Sequence, residues 1–150
     1  MDLTPIKPEE FAQMFELFKV SMHPIIDEAL GWDEEFQESN FKQHLKPEWF
    51  YWAEVDGERV GVVCHRYKEA SLHIHFLAIF RPYQGHGYAQ QVLVQLERMA
   101  AGEGKAVTLS CFKNNQRAVK LYRTYGFKVL GEDDLFYDFG KVSHALAFTL

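Results

Sequence analysis

Apolar residues in the first third of the chain recur at three- and four-residue steps, the spacing of helices that bury one face. In segment 8–19 they are Phe11, Met14, Phe15 and Phe18. A proline and two acidic residues precede them, as suits a first helical turn. Pro24 and Gly31 interrupt the stretch that follows. In segment 32–45, apolar residues again alternate with groups of polar residues. We therefore predict two helices with a break before the second.

The spacing of apolar residues then changes to that of β-strands. Segments 49–55 and 59–67 are rich in β-branched and aromatic residues, and Asp56-Gly57 between them is a strong hairpin signal. Segment 71–80 is a third run of this kind. These three segments predict consecutive antiparallel strands.

Helical spacing returns in segment 90–101 and is followed by a β-prone run at 106–112. That strand is expected to be parallel to its predecessor, because a helix crosses between them. A short helix at 115–125 and strands at 127–130 and 143–150 complete the pattern. The order predicts an α+β fold with a mixed sheet and one central parallel crossover.

Composition narrows the class of protein. The 150 residues, 47% hydrophobic and 25% charged, suit a single domain over residues 1–150. The net charge of −5, without a basic stripe, makes nucleic acid an unexpected partner. Cys64 and Cys111 lie in unrelated apolar segments and are interpreted as reduced core thiols. Without a leader pattern or a long apolar run, we expect a soluble, cytoplasmic protein that does not contact membranes.

A glycine-rich turn between a strand and a helix is the sharpest chemical feature. Small residues at 84–89 let successive backbone N–H groups point inward at a helix start, which suits a diphosphate. A Gly-x-Gly at such a place is also common as a simple tight turn. A Walker loop is excluded because Gly87 is followed by Tyr88, and a dinucleotide fold would carry the glycines after its first strand.

Two motifs in order resemble the GNAT superfamily of acetyl-CoA-dependent N-acetyltransferases. The turn resembles its Gln/Arg-x-x-Gly-x-Gly/Ala signature through Gln84, Gly85, His86, Gly87, Tyr88 and Ala89. The second signature, Asn-x-x-Ala-x-x-Leu-Tyr-x-x-x-Gly-Phe, is matched by Asn115, Ala118, Leu121, Tyr122, Gly126 and Phe127. The resemblance spans about residues 72–131. It implies the GNAT fold, with six or seven strands and about four helices.

The resemblance also implies a role for each motif residue. Backbone N–H groups of Gly85, His86, Gly87, Tyr88 and Ala89 would hold the CoA pyrophosphate. Gln84 would shape that loop, and Asn115 would hydrogen-bond the pantetheine region. The pantetheine arm would pair with the main chain of Leu77, Ala78 and Ile79. Tyr122 would protonate the departing thiolate, a task for which a phenol is an adequate acid.

His73 and His75 alternate with apolar residues, so both imidazoles are expected on one face of their strand. Neutral imidazoles there could pass a proton from an ammonium substrate to water, whereas a merely polar, half-exposed strand face is an equal alternative. This strand resembles that of arylalkylamine N-acetyltransferases, but the Asn-x-x-Ala motif is of the ordinary bacterial type. A metal site is not expected, because no third ligand lies at a recognisable spacing from the two histidines.

Three residues near the second helix are candidates for the acceptor site. Trp32, Asp33 and Glu34 could hold a cationic amine by ring face and carboxylate, and a solvated acidic helix start is the alternative. Glu54, at the hairpin edge, is interpreted as a surface charge rather than as a catalytic base.

These features predict direct transfer of an acetyl group from acetyl-CoA to the primary amine of a small molecule in a ternary complex. A Cys111 nucleophile is unexpected, because no His or Asp pairs with it recognisably. Acetylation of protein or peptide amines and a non-catalytic CoA sensor are the alternatives. By fold analogy, the apolar segment 145–150 would permit a homodimer.

Overall fold

The computed structural model describes residues 1–142, which form four α-helices and seven β-strands. In chain order these are β1 (Asp2–Pro5), α1 (Phe11–Leu30), α2 (Glu34–His44), β2 (Phe50–Val55), β3 (Glu58–Tyr67), β4 (Ser71–Ile79), α3 (Tyr88–Gly102), β5 (Ala106–Phe112), α4 (Gln116–Tyr125), β6 (Lys128–Glu132) and β7 (Phe136–Lys141). The α+β class predicted from the changes of period is confirmed.

All seven strands belong to one sheet, in the order β1-β2-β3-β4-β5-β7-β6. The pair β4–β5 is parallel, and α3 crosses between its two strands. The other neighbouring pairs are antiparallel, which short hairpins and turns can connect. The predicted mixed sheet with a central parallel crossover is therefore confirmed.

Helices cover both faces of the sheet. On the face under α3, here called the α3 face, the buried side chains include Val92, Leu93, Leu96, Leu72 and Val107. On the opposite face, here called the α1 face, they include Met14, Phe15, Phe41, Phe50 and Trp52. Burying one such side chain contributes about 1.5–3 kcal/mol. These two layers fix the strands against which the site is built.

Helix α1 is longer than the periodicity predicts, since it continues through Pro24 to Leu30. It ends at Gly31, which has a φ of 81° and donates its N–H to the carbonyl of Asp27 at 2.9 Å. The predicted break before α2 is confirmed. Within the part of the chain that the structure describes, no helix has the length and apolar character needed to cross a bilayer.

The C-terminal hairpin differs from the prediction. Strand β6 agrees with the expected strand at 127–130, but β7 was not predicted. The turn between them is held by Asp133, whose carboxylate accepts the N–H of Leu135 at 2.8 Å and of Phe136 at 2.7 Å. The predicted strand at 143–150, and the dimer contact suggested for its end, lie outside the described residues.

Candidate active site

A cleft opens where the two parallel strands part. Strands β4 and β5 are paired only as far as Ile74 and Leu109, although β4 continues to Ile79 and β5 to Phe112. On their outer edges both strands keep their partners, β3 and β7, to the end. The inner edge of β4 beyond Ile74 therefore offers backbone groups without a strand partner within residues 1–142. Such an edge can bind an extended ligand as an added strand.

A β-bulge at His75 coincides with this opening. Cys64 pairs with Phe76 and His65 pairs with Ile74, so His75 is an extra residue in β4. Bulges re-aim side chains locally. Here the bulge leaves His73, His75 and Phe76 on the α1 face, where Phe76 joins the core beneath α1.

The structure brings the two predicted histidines together, with ring centroids 4.9 Å apart. His73 Nδ1 lies 2.8 Å from Thr108 Oγ1, and the Thr108 hydroxyl in turn donates to Ser71 Oγ at 3.1 Å. Ser71, Thr108 and His73 Nδ1 thus form one hydrogen-bonded chain, which orients the His73 ring.

His75 has a different partner. Arg66 donates from Nε to Nε2 of His75 at 3.2 Å. An arginine cannot accept a hydrogen bond, so Nε2 of His75 carries no proton and its Nδ1 does. Trp49 stacks on the His75 ring at 5.3 Å, and Arg66 lies over Trp49 at 4.8 Å. These contacts fix the ring and its tautomer.

Both imidazoles are neutral at physiological pH. Burial is the main cause that lowers the pKa of His73 to about 4, and the nearby cations Lys68 and Arg66 add to it. Burial likewise lowers the pKa of His75 to about 4, with the neighbouring His73 and Arg66 as smaller causes. Neutral rings can accept a proton, which a protonated pair could not.

His75 also lines a cavity of about 230 Å³ between α1, α2 and β4. Its other lining residues are Phe18, Gln37, Asn40, Phe41, His44 and Leu45. The cavity is therefore lined by apolar side chains and by polar groups on α2, next to His75.

The glycine-rich turn exposes backbone N–H groups as its sequence predicted. Gly85 and Gly87 have φ angles of 83° and 77°, and α3 begins directly after Gly87. Gly87 provides no side-chain cap, and the first bond within the helix runs from Gln91 N to Gly87 O. The N–H groups of Tyr88, Ala89 and Gln90 precede that bond, so they are available to an anion.

Gln84 ties this turn to both neighbouring elements. Its amide donates from Nε2 to the carbonyl of Ile79 at 2.9 Å, and its Oε1 accepts from Arg117 Nη1 at 2.8 Å. Arg117 and Lys120 also border a second cavity of about 260 Å³ between α3 and α4. Both cations share this cavity with Gln90, whose N–H is exposed at the start of α3. They were not predicted, because only the helix periodicity of α4 could have indicated their position.

Tyr122 lies on the α3 face of the sheet, 8% exposed, with Phe127 and Phe139 at centroid distances of 5.6 and 6.0 Å. Burial, helped by the neighbouring Cys111, raises the pKa of Tyr122 well above its usual value. The phenol therefore stays protonated, as a proton donor must. Burial also raises the pKa of Cys111 to about 11, which does not suit a nucleophile.

Asn115 is the N-cap of α4, where its Oδ1 accepts the N–H of Ala118 at 3.3 Å. This use of the oxygen leaves the amide nitrogen of Asn115 for another partner. Capping by Asn is also a sufficient structural reason for the residue.

The three predicted acceptor residues have partners within the protein. Asp33 caps α2 by accepting the N–H of Phe36 at 2.9 Å. Glu34 pairs with Lys19 Nζ at 2.9 Å and accepts from Trp32 Nε1 at 2.9 Å. None of the three borders the cavity next to His75. Their role in acceptor binding stays a prediction, and the structure gives each of them a folding role.

Glu54 lies at the β1 side of the sheet, paired with Asp2 and Arg59, two strands away from β4. Among residues 1–142, no group of three or more His, Cys, Asp or Glu side chains is placed to hold a metal ion.

Several known proteins share this arrangement. The chain is 39% identical over 56 residues to the uncharacterized N-acetyltransferase YycN of Bacillus subtilis, a match that spans only 37% of this chain and 36% of that protein. The solved structure of Bacillus subtilis YycN has a TM-score of 0.75 at 26% identity, over 88% of this chain and 94% of the other.

Two more distant structures share the fold. The PaiA N-acetyltransferase of Thermoplasma acidophilum, solved with coenzyme A, has a TM-score of 0.72 at 17% identity and covers 94% of this chain and 98% of its own. Arabidopsis thaliana Naa50, solved with the bisubstrate analogue CoA-Ac-MVNAL, has a TM-score of 0.64 at 20% identity over 93% and 97%. The profile described as Acetyltransferase (GNAT) family matches residues 11–127. The chain therefore belongs to the GNAT family of acetyltransferases.

Proposed function

We propose that the protein is an N-acetyltransferase that moves an acetyl group from acetyl-CoA directly to the primary amine of a small molecule. The observation that carries this proposal is the cleft between β4 and β5. It combines a strand edge that has no strand partner among residues 1–142, a helix start with free N–H groups and a pair of neutral imidazoles.

The residues present suit acetyl-CoA as the donor. The N–H groups at the start of α3, with Arg117 and Lys120 beside them, offer the positive potential that a pyrophosphate needs in a chain of net charge −5. The main chain of Leu77, Ala78 and Ile79 offers hydrogen bonds to an extended pantetheine arm. PaiA of Thermoplasma acidophilum was solved with coenzyme A, which supports the same choice.

The proposed chemistry is general acid–base catalysis in a ternary complex. When bound, acetyl-CoA supplies the acetyl group as a thioester, and the amine nitrogen forms its new bond at the carbonyl carbon. The neutral His73 imidazole accepts the proton that the amine loses and releases it to solvent. Tyr122 donates a proton to the departing sulfur as the C–S bond breaks, and solvent reprotonates the phenol.

The acceptor is proposed to approach over the α1 face. His73 and His75 lie on that face, and the cavity of about 230 Å³ beside His75 has room for a small substituent. A peptide amine is the alternative acceptor, favoured by the likeness to Naa50, which was solved with a peptide-bearing bisubstrate analogue. A CoA-binding protein without turnover is the second alternative.

Thiol release from acetyl-CoA, followed with a chromogenic reagent, tests the proposal. The acceptor panel contains arylalkylamines, polyamines, aminoglycosides, amino acids and short peptides. Turnover with a small amine and not with peptides is the expected result. Turnover with peptides alone would contradict the small-molecule acceptor, and silence across the panel with CoA binding intact would contradict the enzyme.

A further inference from the structure

An acidic side chain beside the cleft has no role in the chemistry described so far. Asp138 of β7 pairs in register with Ser110 of β5, one residue beyond the last β4–β5 pair. The Ser110 hydroxyl donates to Asp138 Oδ1 at 2.7 Å. Both residues are exposed to solvent, so the carboxylate is accessible to a ligand.

The alternation of the strands places Asp138 on the same face as the histidines. Its neighbour Phe139 is buried in the core of the α3 face, and so are Leu109 and Cys111 on either side of Ser110. Successive side chains of a strand point to opposite faces. Ser110 and Asp138 therefore lie on the α1 face, as do His73 and His75.

The charge of Asp138 affects His73, and its carboxylate is accessible to a ligand. Its charge raises the pKa of His73, against the larger lowering by burial. Within residues 1–142 it forms no ion pair. Gly131 beside it has no side chain, and a Cβ there would lie 3.7 Å from Asp138 Oδ2. The absent Gly131 side chain thus leaves only about the space of a methyl group next to this oxygen.

The aromatic pair one step further along the same face adds an apolar surface. Phe112 follows Ser110 by two residues and Phe136 precedes Asp138 by two, with ring centroids 4.2 Å apart. Both rings are only partly buried. An acceptor lying on this face would meet a carboxylate and two rings.

We propose that Asp138 is a specificity-determining residue that binds a second positive charge on the acceptor, so that diamines are the preferred acceptor class. The inference rests on the proposed function. Neighbouring strands lie about 4.8 Å apart, and Asp138 is one strand beyond the edge of the cleft. The second charge then lies roughly 5–8 Å from the amine that reacts, the span of about four or five methylene groups.

The test compares kcat/KM for 1,4-diaminobutane and 4-amino-1-butanol, which differ in one cationic group. The wild-type protein is expected to prefer the diamine. In Asp138→Asn the ratio of the two kcat/KM values should fall about 10- to 100-fold, because a charge-assisted hydrogen bond is lost. The matched control is Asp134→Asn, which removes the same charge from an exposed position in the β6–β7 turn and should keep the wild-type ratio.

The outcomes separate this inference from the proposed function. A wild-type ratio near one, or a ratio that Asp138→Asn leaves unchanged, would overturn the role of Asp138 while acetyl transfer itself stands. Equal losses for both acceptors would also overturn it, because they would mean that Asp138 acts on the reacting amine or on the fold. Absence of thiol release with every acceptor would overturn the proposed function and the inference together.

Discussion

The two halves of the β4–β5 pair are built differently. In the closed half, residues 71–74 and 106–109 are paired, and every side chain directed to the α3 face is at most 3% exposed: Leu72, Ile74, Val107 and Leu109. In the open half, beyond these residues, the two strands are no longer paired with each other. They carry His75, Ser110 and partly exposed apolar residues there. One strand pair thus provides both the core and the cleft.

The bulge at His75 marks the boundary between these halves. Before it, β4 has two neighbouring strands as hydrogen-bond partners, and after it β3 is the one partner strand within residues 1–142. The free edge is stable because the outer strands and the two helix layers hold β4 and β5 in place. Changes in the closed half should therefore alter stability, whereas changes at the open half should alter ligand binding and rate.

The largest expected effect on stability comes from the closed half. Leu72→Ala should lower the free energy of unfolding by about 2–5 kcal/mol, because Leu72 is fully buried and a cavity would remain. Urea unfolding followed by circular dichroism measures the change. Val20→Ala, at a position 80% exposed, is the control and should stay within about 0.5 kcal/mol of wild type. A loss of similar size in both variants would contradict the special contribution of the closed half to stability.

A second effect concerns His65, which pairs with Ile74 in the closed half and is stacked on Tyr51 at 4.7 Å. Its ring is 4% exposed, neither ring nitrogen has a hydrogen-bond partner within residues 1–142, and burial lowers its pKa to about 4. Between pH 6.5 and 4 the unfolded chain binds the proton and the folded chain does not. Stability should therefore fall as the pH falls through this range, by about 2–3 kcal/mol from His65.

His65→Phe isolates that contribution, because it keeps an aromatic ring against Tyr51 but cannot titrate. Urea unfolding at pH 7 and pH 4.5 gives the pH dependence of each protein. The variant should lose less stability on acidification than the wild type. Identical pH dependence in the two proteins would mean that His65 contributes nothing to the loss of stability on acidification.

The smallest effect is expected at the glycine-rich turn. Gly87→Ala places a side chain at a φ of 77°, which costs about 1–2 kcal/mol. Because the turn would shift to relieve this strain, CoA binding should weaken by up to about 5- to 30-fold. Calorimetric titration with CoA measures it. Gly57→Ala strains a similar φ of 81° in the β2–β3 turn and should leave CoA affinity unchanged. Equal affinity in all three proteins would remove the turn from the binding site.

Local patterns were sufficient to predict most of the fold. The Asp56-Gly57 turn and the helix between two β-prone runs specified the hairpin and the parallel crossover, since both depend on short-range rules. Strand β7 was missed because Asp138 and Gly140 interrupt its β-prone residues. Its pairing with β5 is a long-range contact that no local pattern encodes.

The candidate site was predictable only where it follows local sequence. The exposed N–H groups after Gly87 follow from the glycine spacing, and the meeting of His73 and His75 follows from strand alternation. The contact of Arg66 with His75 depends on the register between β3 and β4, including the bulge. The partners of Glu34 depend on how α1 packs beside α2, so no local pattern indicates that its carboxylate is already paired.

The most direct test of the proposed chemistry is the effect of Tyr122→Phe on kcat and on the Kd for CoA. In this variant kcat is expected to fall at least about 100-fold, because the leaving sulfur loses its proton donor. The Kd should change little, and circular dichroism should show an unchanged fold. Wild-type kcat in this variant would contradict the account, and so would a rate loss explained wholly by weaker CoA binding.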